Sequence, residues 1–220
     1  MRTVKVKICG ITREEDLKMV CNLGADAVGF IVGVPSSPRN LTLEKAKRLI
    51  RRVPIFVKSV LVTVPKSIEE ILRLYTELRP DIIQIHGIIP LKISVLKRKG
   101  LNAFLVAAIS VKSKNALQTA VKHARLFDAV LVDSYVAGRY GGTGVIHDWS
   151  VSKRIREAIH PKPLILAGGL NPENVKEAVK AVKPYAVDVS TGVELSPGIK
   201  DPEKVKAFIR NAKETALDDD

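Results

Sequence analysis

Val4-Lys5-Val6-Lys7-Ile8-Cys9-Gly10 reads as a β-strand closed by a glycine turn, because side chains alternate between two faces along an extended chain. Val4, Val6 and Ile8 share the face suited to packing under helices. Lys5, Lys7 and Cys9 share the other. A lysine carried toward a closed interior needs a partner or a task. Cys9 lies about 7 Å further along the strand from Lys7, and a cation at that range favours the thiolate. The strand end is therefore expected to offer a thiol of lowered pKa that can take a proton. A lone cysteine near a strand is also commonly a small buried hydrophobe, and at this point both readings stand.

Outward from this strand the same unit recurs. Strands are expected at 27–32, 60–64, 82–87, 103–109, 129–134, 163–169 and 186–190. Helices are expected from Thr12 as N-cap to Leu23, from Thr42 to Arg52, from Ser67 to Glu77, up to Gly100, from Ser113 to His123, from Trp149 to Ile159, after an Asn171-Pro172-Glu173 opening, and from Asp201-Pro202 to Ala216. A long glycine-rich loop runs from Tyr135 to Asp148. Eight strand–helix alternations within 220 residues predict a parallel sheet closed into a single-domain (β/α)8 TIM barrel spanning 1–220, with 218–220 a disordered tail. An open doubly wound sheet would want a glycine fingerprint after the first strand, and Cys9-Gly10-Ile11-Thr12 is not one.

Composition narrows the function. Hydrophobic residues make up 46% of the chain, and no apolar run reaches the roughly 20 residues needed to span a bilayer. Cys9 and Cys21 are the only cysteines, and the start Met1-Arg2-Thr3 carries no signal-peptide pattern, so a cytoplasmic protein without a disulfide framework or a membrane partner is expected. The net charge of +13 suits anionic ligands or a charge-rich surface of the thermophile kind. Basic residues are dispersed and aromatics are only 5%, so stacking platforms for nucleic acid are scarce and none is expected as a partner.

In such a barrel chemistry gathers at the C-terminal strand ends. Those ends carry Cys9, Arg39, Gln84 and His86, Asp133, Gly168-Gly169, and Asp188 with Ser190-Thr191-Gly192. Asp133 and Asp188 are hard to explain as ordinary strand residues. A carboxylic acid in an apolar pocket can donate a proton while a thiolate accepts one, so Cys9 and Asp133 form a candidate base and acid for an isomerisation. Gly168, Gly169, Ser190 and Gly192 fit a phosphate cradle of bare backbone N–H groups. The Arg39 fork matches a carboxylate. Gln84, His86 and Asp188 complete the candidate substrate-binding set, although His86 alone also fits a core histidine. His123, His147 and His160 read as surface residues, Cys21 as packing, and no ligand spacing suggests a metal.

Lys7-Ile8-Cys9-Gly10-Ile11-Thr12, Gly24-Ala25-Asp26 with Gly29-Phe30, Ser37-Pro38-Arg39, Gln84-Ile85-His86-Gly87, Val132-Asp133-Ser134, Gly141-Gly142-Thr143-Gly144, Leu166-Ala167-Gly168-Gly169-Leu170 and Asp188-Val189-Ser190-Thr191-Gly192-Val193-Glu194, in this order, resemble the phosphoribosylanthranilate isomerase family of tryptophan biosynthesis from Val4 to about Phe208. The resemblance implies an Amadori rearrangement of N-(5′-phosphoribosyl)anthranilate to the 1-deoxyribulose phosphate. Cys9 would be general base and Asp133 general acid. Arg39 would hold the anthranilate carboxylate, the two loops the phosphate, and Asp188 would lie near the sugar. It implies no metal or organic cofactor. Gly33-Val34-Pro35 and His147 depart from the family's commoner choices and touch loops rather than chemistry, with Gly138 to Gly144 as a mobile cover. Two other readings fit parts of the pattern. One is another phosphosugar barrel, such as indole-glycerol-phosphate synthase or a histidine-pathway isomerase. The other is a basic nucleic-acid-binding protein. The sequence is compatible with a homodimer.

Overall fold

The computed structural model describes residues 3–87, 96, 100–113, 115–134 and 147–215. In chain order the described elements are β1 Lys5–Ile8, α1 Glu14–Asn22, β2 Ala27–Val32, β3 Asn40–Leu41, α2 Leu43–Ile50, β4 Lys58–Thr63, α3 Ile68–Leu78, β5 Ile82–Ile85 and β6 Phe104–Ser110. They continue with α4 Ala116–Ala124, β7 Ala129–Asp133, α5 Trp149–Ile159, β8 Leu164–Leu166, α6 Val175–Val182 and β9 Ala186–Val189. A 3-10 turn at Thr191–Val193, the hairpin β10 Glu194–Ser196 and β11 Ile199–Lys200, and α7 Pro202–Lys213 complete them.

The main sheet runs β1-β9-β8-β7-β6-β5-β4-β2-β3, and β1 also pairs with β2. Every one of these pairings is parallel. The sheet thus closes on itself as the (β/α)8 barrel that the alternation predicts, with β3 as an appendage on β2. The alternating faces of β1 sort as the sequence requires. Val4, Val6 and Ile8 are fully buried in the large cluster between strands and helices, with Phe30, Phe127 and Phe208. The inward faces form two smaller clusters inside the barrel. One gathers Val106, Ala108, Ala129, Leu131 and Ala167, the other Cys9, Val60 and Val62.

The N-terminal end of the barrel is tied by one device used three times. Asp26, Asp81 and Asp128 each stand at the entry to a strand. Each turns a carboxylate back to accept a backbone N–H from the preceding barrel strand: Asp26 from Val6 at 2.9 Å, Asp81 from Ser59 at 2.8 Å and Asp128 from Leu105 at 2.8 Å. A carboxylate bonded to backbone N–H is charge-assisted and short. Lys5, whose side chain shares a face with Lys7, sits at this end and pairs with Asp26 at 3.1 Å.

Two caps differ from expectation. The α1 N-cap is Arg13, not Thr12, because the Thr12 hydroxyl is already donating to the Gly198 carbonyl at 2.6 Å. The α6 N-cap is Asn174. Asn171 instead accepts from the N–H groups of Glu173 and Asn174 and closes a turn before the helix. Thr42 caps as predicted, and Ser67 and Asp201, where helices are expected to start, are caps too, each accepting from the first turn of its helix. The short β3 and the β10–β11 hairpin lie outside the eight strand–helix alternations. The helix expected to end at Gly100, the glycine-rich loop and the 218–220 tail lie largely or wholly outside the described residues.

Asp81→Ala, by removing a carboxylate that also takes the Ser59 hydroxyl at 2.7 Å, should lower the unfolding free energy by about 1.5–3 kcal/mol. Urea titration measures that loss, and turnover should stay unchanged because the residue lies at the end opposite the candidate site. A normal urea midpoint with lowered turnover would contradict this division of the barrel.

Candidate active site

At the C-terminal strand ends one cavity is lined by Cys9, Arg39, Gln84, His86, Asp133, Gly168, Gly169, Asp188, Ser190 and Gly192. Every candidate site residue of the sequence therefore reaches the same space. Ile31, Val34, Val62 and Val64 add an apolar wall.

The floor is ionic. Lys7 and Asp188 are opposite each other in the β1–β9 register, and the Lys7 ammonium meets the Asp188 carboxylate at 2.9 Å with both side chains buried. Lys7 also donates to Gln84 Oε1 at 3.0 Å, and the Gln84 amide lies 2.7 Å from His86 Nε2. Since Oε1 takes the lysine proton, the amide NH₂ faces the ring and Nε2 must accept. His86 is thereby set as the neutral tautomer with its proton on Nδ1. Burial, and then the Lys7 charge, push its pKa down to about 4, which agrees with a neutral ring.

The same ion pair acts on both proton-transfer candidates. Burial raises the Asp133 pKa to about 6, the Asp188 charge adds to the rise, and the Ser134 backbone N–H and Lys7 oppose it. Burial also raises the Cys9 thiol above its ordinary value, with Asp188 adding and Lys7 and Lys200 opposing. This corrects the expectation that Lys7 leaves Cys9 with a lowered pKa. The lysine does pull in that direction, but the cost of a thiolate away from water is larger. Lys7 itself is raised: burial works against its charge and the Asp188 and Cys9 charges overcome it. At rest the floor holds an ammonium, a carboxylate and a neutral thiol.

Glycine is required where backbones crowd this floor. A Cβ on Gly29 would stand 2.8 Å from Cys9 Sγ. One on Gly168, whose φ is +86°, would stand 2.4 Å from the Ser134 nitrogen and 2.8 Å from Asp133 Oδ1. One on Gly192 would meet the Leu170 carbonyl oxygen at 2.0 Å, so the β8 and β9 loops interlock only because residue 192 has no side chain. Among the described residues Ser190 Oγ and Asp188 Oδ1 are buried and have no hydrogen-bond partner. A buried polar atom left unpaired is costly, and both belong to residues that line the cavity.

Arg39 is more constrained than its fork alone suggests. Its Nε and Nη2 donate to the two oxygens of Glu194 at 2.8 and 2.5 Å, and Nη2 also donates to Thr191 Oγ1 at 3.2 Å. That edge is occupied, which leaves the Nη1 donors for any ligand. The Glu194 bond, then the charges of Glu194 and Cys9, raise the Arg39 pKa against its burial. Glu194 and its second cation, Lys200, were not singled out as site residues. Glu194 ends the Asp188–Glu194 motif, but nothing in the spacing marks Lys200. His147, read as a surface residue, bridges Ser134 Oγ at 2.8 Å and the buried Ser152 Oγ at 2.6 Å. Among the described residues no three His, Cys, Asp or Glu side chains are grouped to hold a metal ion.

Residues 6–211 match the family model for N-(5′-phosphoribosyl)anthranilate (PRA) isomerase. An N-(5′-phosphoribosyl)anthranilate isomerase of Methanothrix thermoacetophila is 45% identical over 210 residues, covering 95% of this chain and 98% of the relative. A crystal structure of the Thermotoga maritima enzyme superposes with a TM-score of 0.84 at 38% identity, covering 96% of this chain and 98% of that one. Two further structures of such isomerases each reach a TM-score of 0.80 at 36% identity, again covering 96% and 98%. One holds reduced 1-(o-carboxyphenylamino)-1-deoxyribulose 5-phosphate. The other is described as monomers generated from the dimeric Thermotoga maritima enzyme.

Proposed function

The chain belongs to the N-(5′-phosphoribosyl)anthranilate isomerase family of tryptophan biosynthesis, and from that premise we propose how its residues divide the reaction. The protein is an enzyme, an isomerase. The observation that supports this division of roles is that Cys9 and Asp133 line one cavity above the buried Lys7–Asp188 pair, where an acid and a base can face one substrate.

The substrate phosphate lies against the Gly168-Gly169 and Ser190–Gly192 loops, where the unpaired Ser190 hydroxyl donates to it. The anthranilate ring rests on Ile31, Val34, Val62 and Val64, and its carboxylate takes the Nη1 donors of Arg39. Asp133, whose pKa raised to about 6 keeps a protonated fraction available near neutral pH, gives its proton to the ribose ring oxygen. The furanose C1–O bond breaks, the nitrogen lone pair forms the protonated Schiff base, and the Asp133 carboxylate remains. Cys9, in the fraction of enzyme whose thiol has lost its proton to solvent, then removes the proton from C2 as thiolate. Those electrons neutralise the iminium as an enolamine, which tautomerises to the ketone. Gln84, His86 and Asp188 bind the sugar hydroxyls, Asp188 through its unpaired Oδ1. We assign no cofactor to these steps.

A second copy of the chain is part of the proposal. Ile55 and Phe56, in the loop that enters β4, are 87% and 94% exposed, and Phe104 is exposed at the start of β6 at the same end of the barrel. The charge is assigned to the surface, with no nucleic-acid or membrane partner. No described helix is long and apolar enough to cross a membrane, and a cytoplasmic location completes the proposal. A homodimer is expected in sedimentation equilibrium, and monomers alone at micromolar concentration would end that part.

Cys9→Ala and Asp133→Asn should each cut turnover of N-(5′-phosphoribosyl)anthranilate by about 10²-fold or more, followed as loss of substrate fluorescence, with unfolding midpoints retained. The pH profile has a stated sign. Below about pH 6 Asp133 stays protonated and kcat/KM should climb about tenfold per pH unit as the thiolate fraction grows. Above it, loss of the acid's proton offsets that gain and the profile levels. Near-native turnover in either variant, or a profile that falls from pH 6 with no plateau, would overturn the assignment.

A further inference from the structure

Lys200 is 2% exposed, yet carries an ammonium into the protein. Its Nζ donates to three acceptors from three parts of the chain: the Cys9 carbonyl at 2.6 Å, the Ser190 carbonyl at 3.3 Å and Glu194 Oε1 at 2.8 Å. These are the backbone under the thiol, the backbone that opens the β9 loop, and the carboxylate that grips Arg39. An ammonium has three N–H donors, so all of them are spent on these contacts. Its backbone N–H is in turn bound by Asp16 Oδ2 at 3.1 Å, and Gly198 N–H donates to the same Glu194 oxygen at 3.2 Å. The β10–β11 hairpin exists to deliver this side chain: Glu194 and Lys200 are register partners across it.

A fully buried lysine is costly, and a buried ion network is weak support for stability in its own right. Its geometry offers a reason. We propose that Lys200 is a positioning residue for the isomerisation, fixing the Cys9 backbone to the Ser190 backbone and to the Glu194–Arg39 pair. The proton-abstracting thiol, the phosphate loop and the carboxylate-binding arginine are then held in one mutual arrangement. The proposal rests on the roles given above to Cys9, Ser190 and Arg39. Substrate touches all three but not the lysine, whose side chain is closed off from solvent. Gly10 belongs to the same arrangement, because a Cβ there would stand 2.5 Å from Arg39 Cδ and 2.9 Å from Ser190 Oγ. The charges acting on the Cys9 thiol are Lys7 from β1, Asp188 from β9 and Lys200 from β11, and the Arg39 guanidinium interacts with it too. Removing Lys200 takes away one of the cations that favour the thiolate.

Lys200→Met in the full chain tests this. A misplacement of reacting groups by about 1 Å costs about 10²-fold in rate, so kcat should fall by about that factor while KM rises. Alkylation of Cys9 by iodoacetamide, followed against pH and resolved from Cys21 by peptide mass spectrometry, should shift its midpoint upward by about one unit. A lysine whose charge did not reach the thiol would leave that midpoint in place, and the fall in kcat reports the positioning. A folded variant with kcat and KM within about twofold of the parent and an unshifted midpoint overturns the proposal. Where Lys200→Met does not fold, Glu194→Gln serves, since it keeps the shape and removes the charge that Lys200 and Arg39 share. KM should rise about tenfold, and an unchanged KM overturns the proposal equally. Turnover retained in Cys9→Ala would strike the base assignment, while the alkylation shift still reports on Lys200. An inactive Cys9→Ala with no shift in Lys200→Met would strike Lys200 alone.

Discussion

A lysine and an aspartate buried face to face at 2.9 Å, Lys7 against Asp188, set the conditions for everything else in the barrel mouth. Neither charge is tolerable alone in that interior. Together they leave an ammonium that orients Gln84 and through it His86, and a carboxylate that keeps both Asp133 and Cys9 toward their protonated forms. The pair suits an active site better than a stabilising role, because hydrophobic side chains of similar volume would pack such a floor at no ionic cost. A reaction that needs a proton given at one sugar atom and taken at the next is served by a carboxyl of raised pKa and a thiol that share one buried floor.

The two ends of the barrel divide their tasks. At the N-terminal end Asp26, Asp81 and Asp128 spend carboxylates on backbone N–H groups and tie neighbouring strands. At the C-terminal end Asp188 and Glu194 meet cations, and glycines at 29, 168 and 192 let backbones approach closer than any side chain would permit. Arg39, Glu194 and Lys200 form a second buried ionic group on the β2, β10 and β11 side. It stiffens the loops, where the Lys7–Asp188 pair tunes protons.

Much of this was legible in the chain. Alternation of strand and helix signals gave the closed parallel barrel, because period-2 apolar runs and capped amphipathic runs have few other parallel arrangements. The strand-end rule brought Cys9, Arg39, Gln84, His86, Asp133, Asp188 and the two glycine-bearing loops to one cavity. What could not be read depended on tertiary contacts. Thr12 looks like a helix cap until Gly198 arrives from the far end of the chain to take its hydroxyl proton. Lys7 looks like a cation that ionises Cys9 until the desolvation of the closed mouth is weighed. Lys200 precedes the N-cap Asp201 with nothing in the spacing to mark it, and only the hairpin turns it inward. The Arg39 fork was recognised, but the partner that fills its first edge stands 155 residues away.

The central claim is that burial, adjusted by one ion pair, sets the protons of the site, and the carboxyl of Asp133 reports on both. Its titration can be followed by carbon-13 NMR with the resonance assigned through its loss in the asparagine variant. A midpoint near 6 is expected, against the ordinary 3.8, and it should move higher in Lys7→Met, which removes a cation that favours the carboxylate. A midpoint at the ordinary value, or one that ignores the loss of Lys7, would contradict the account.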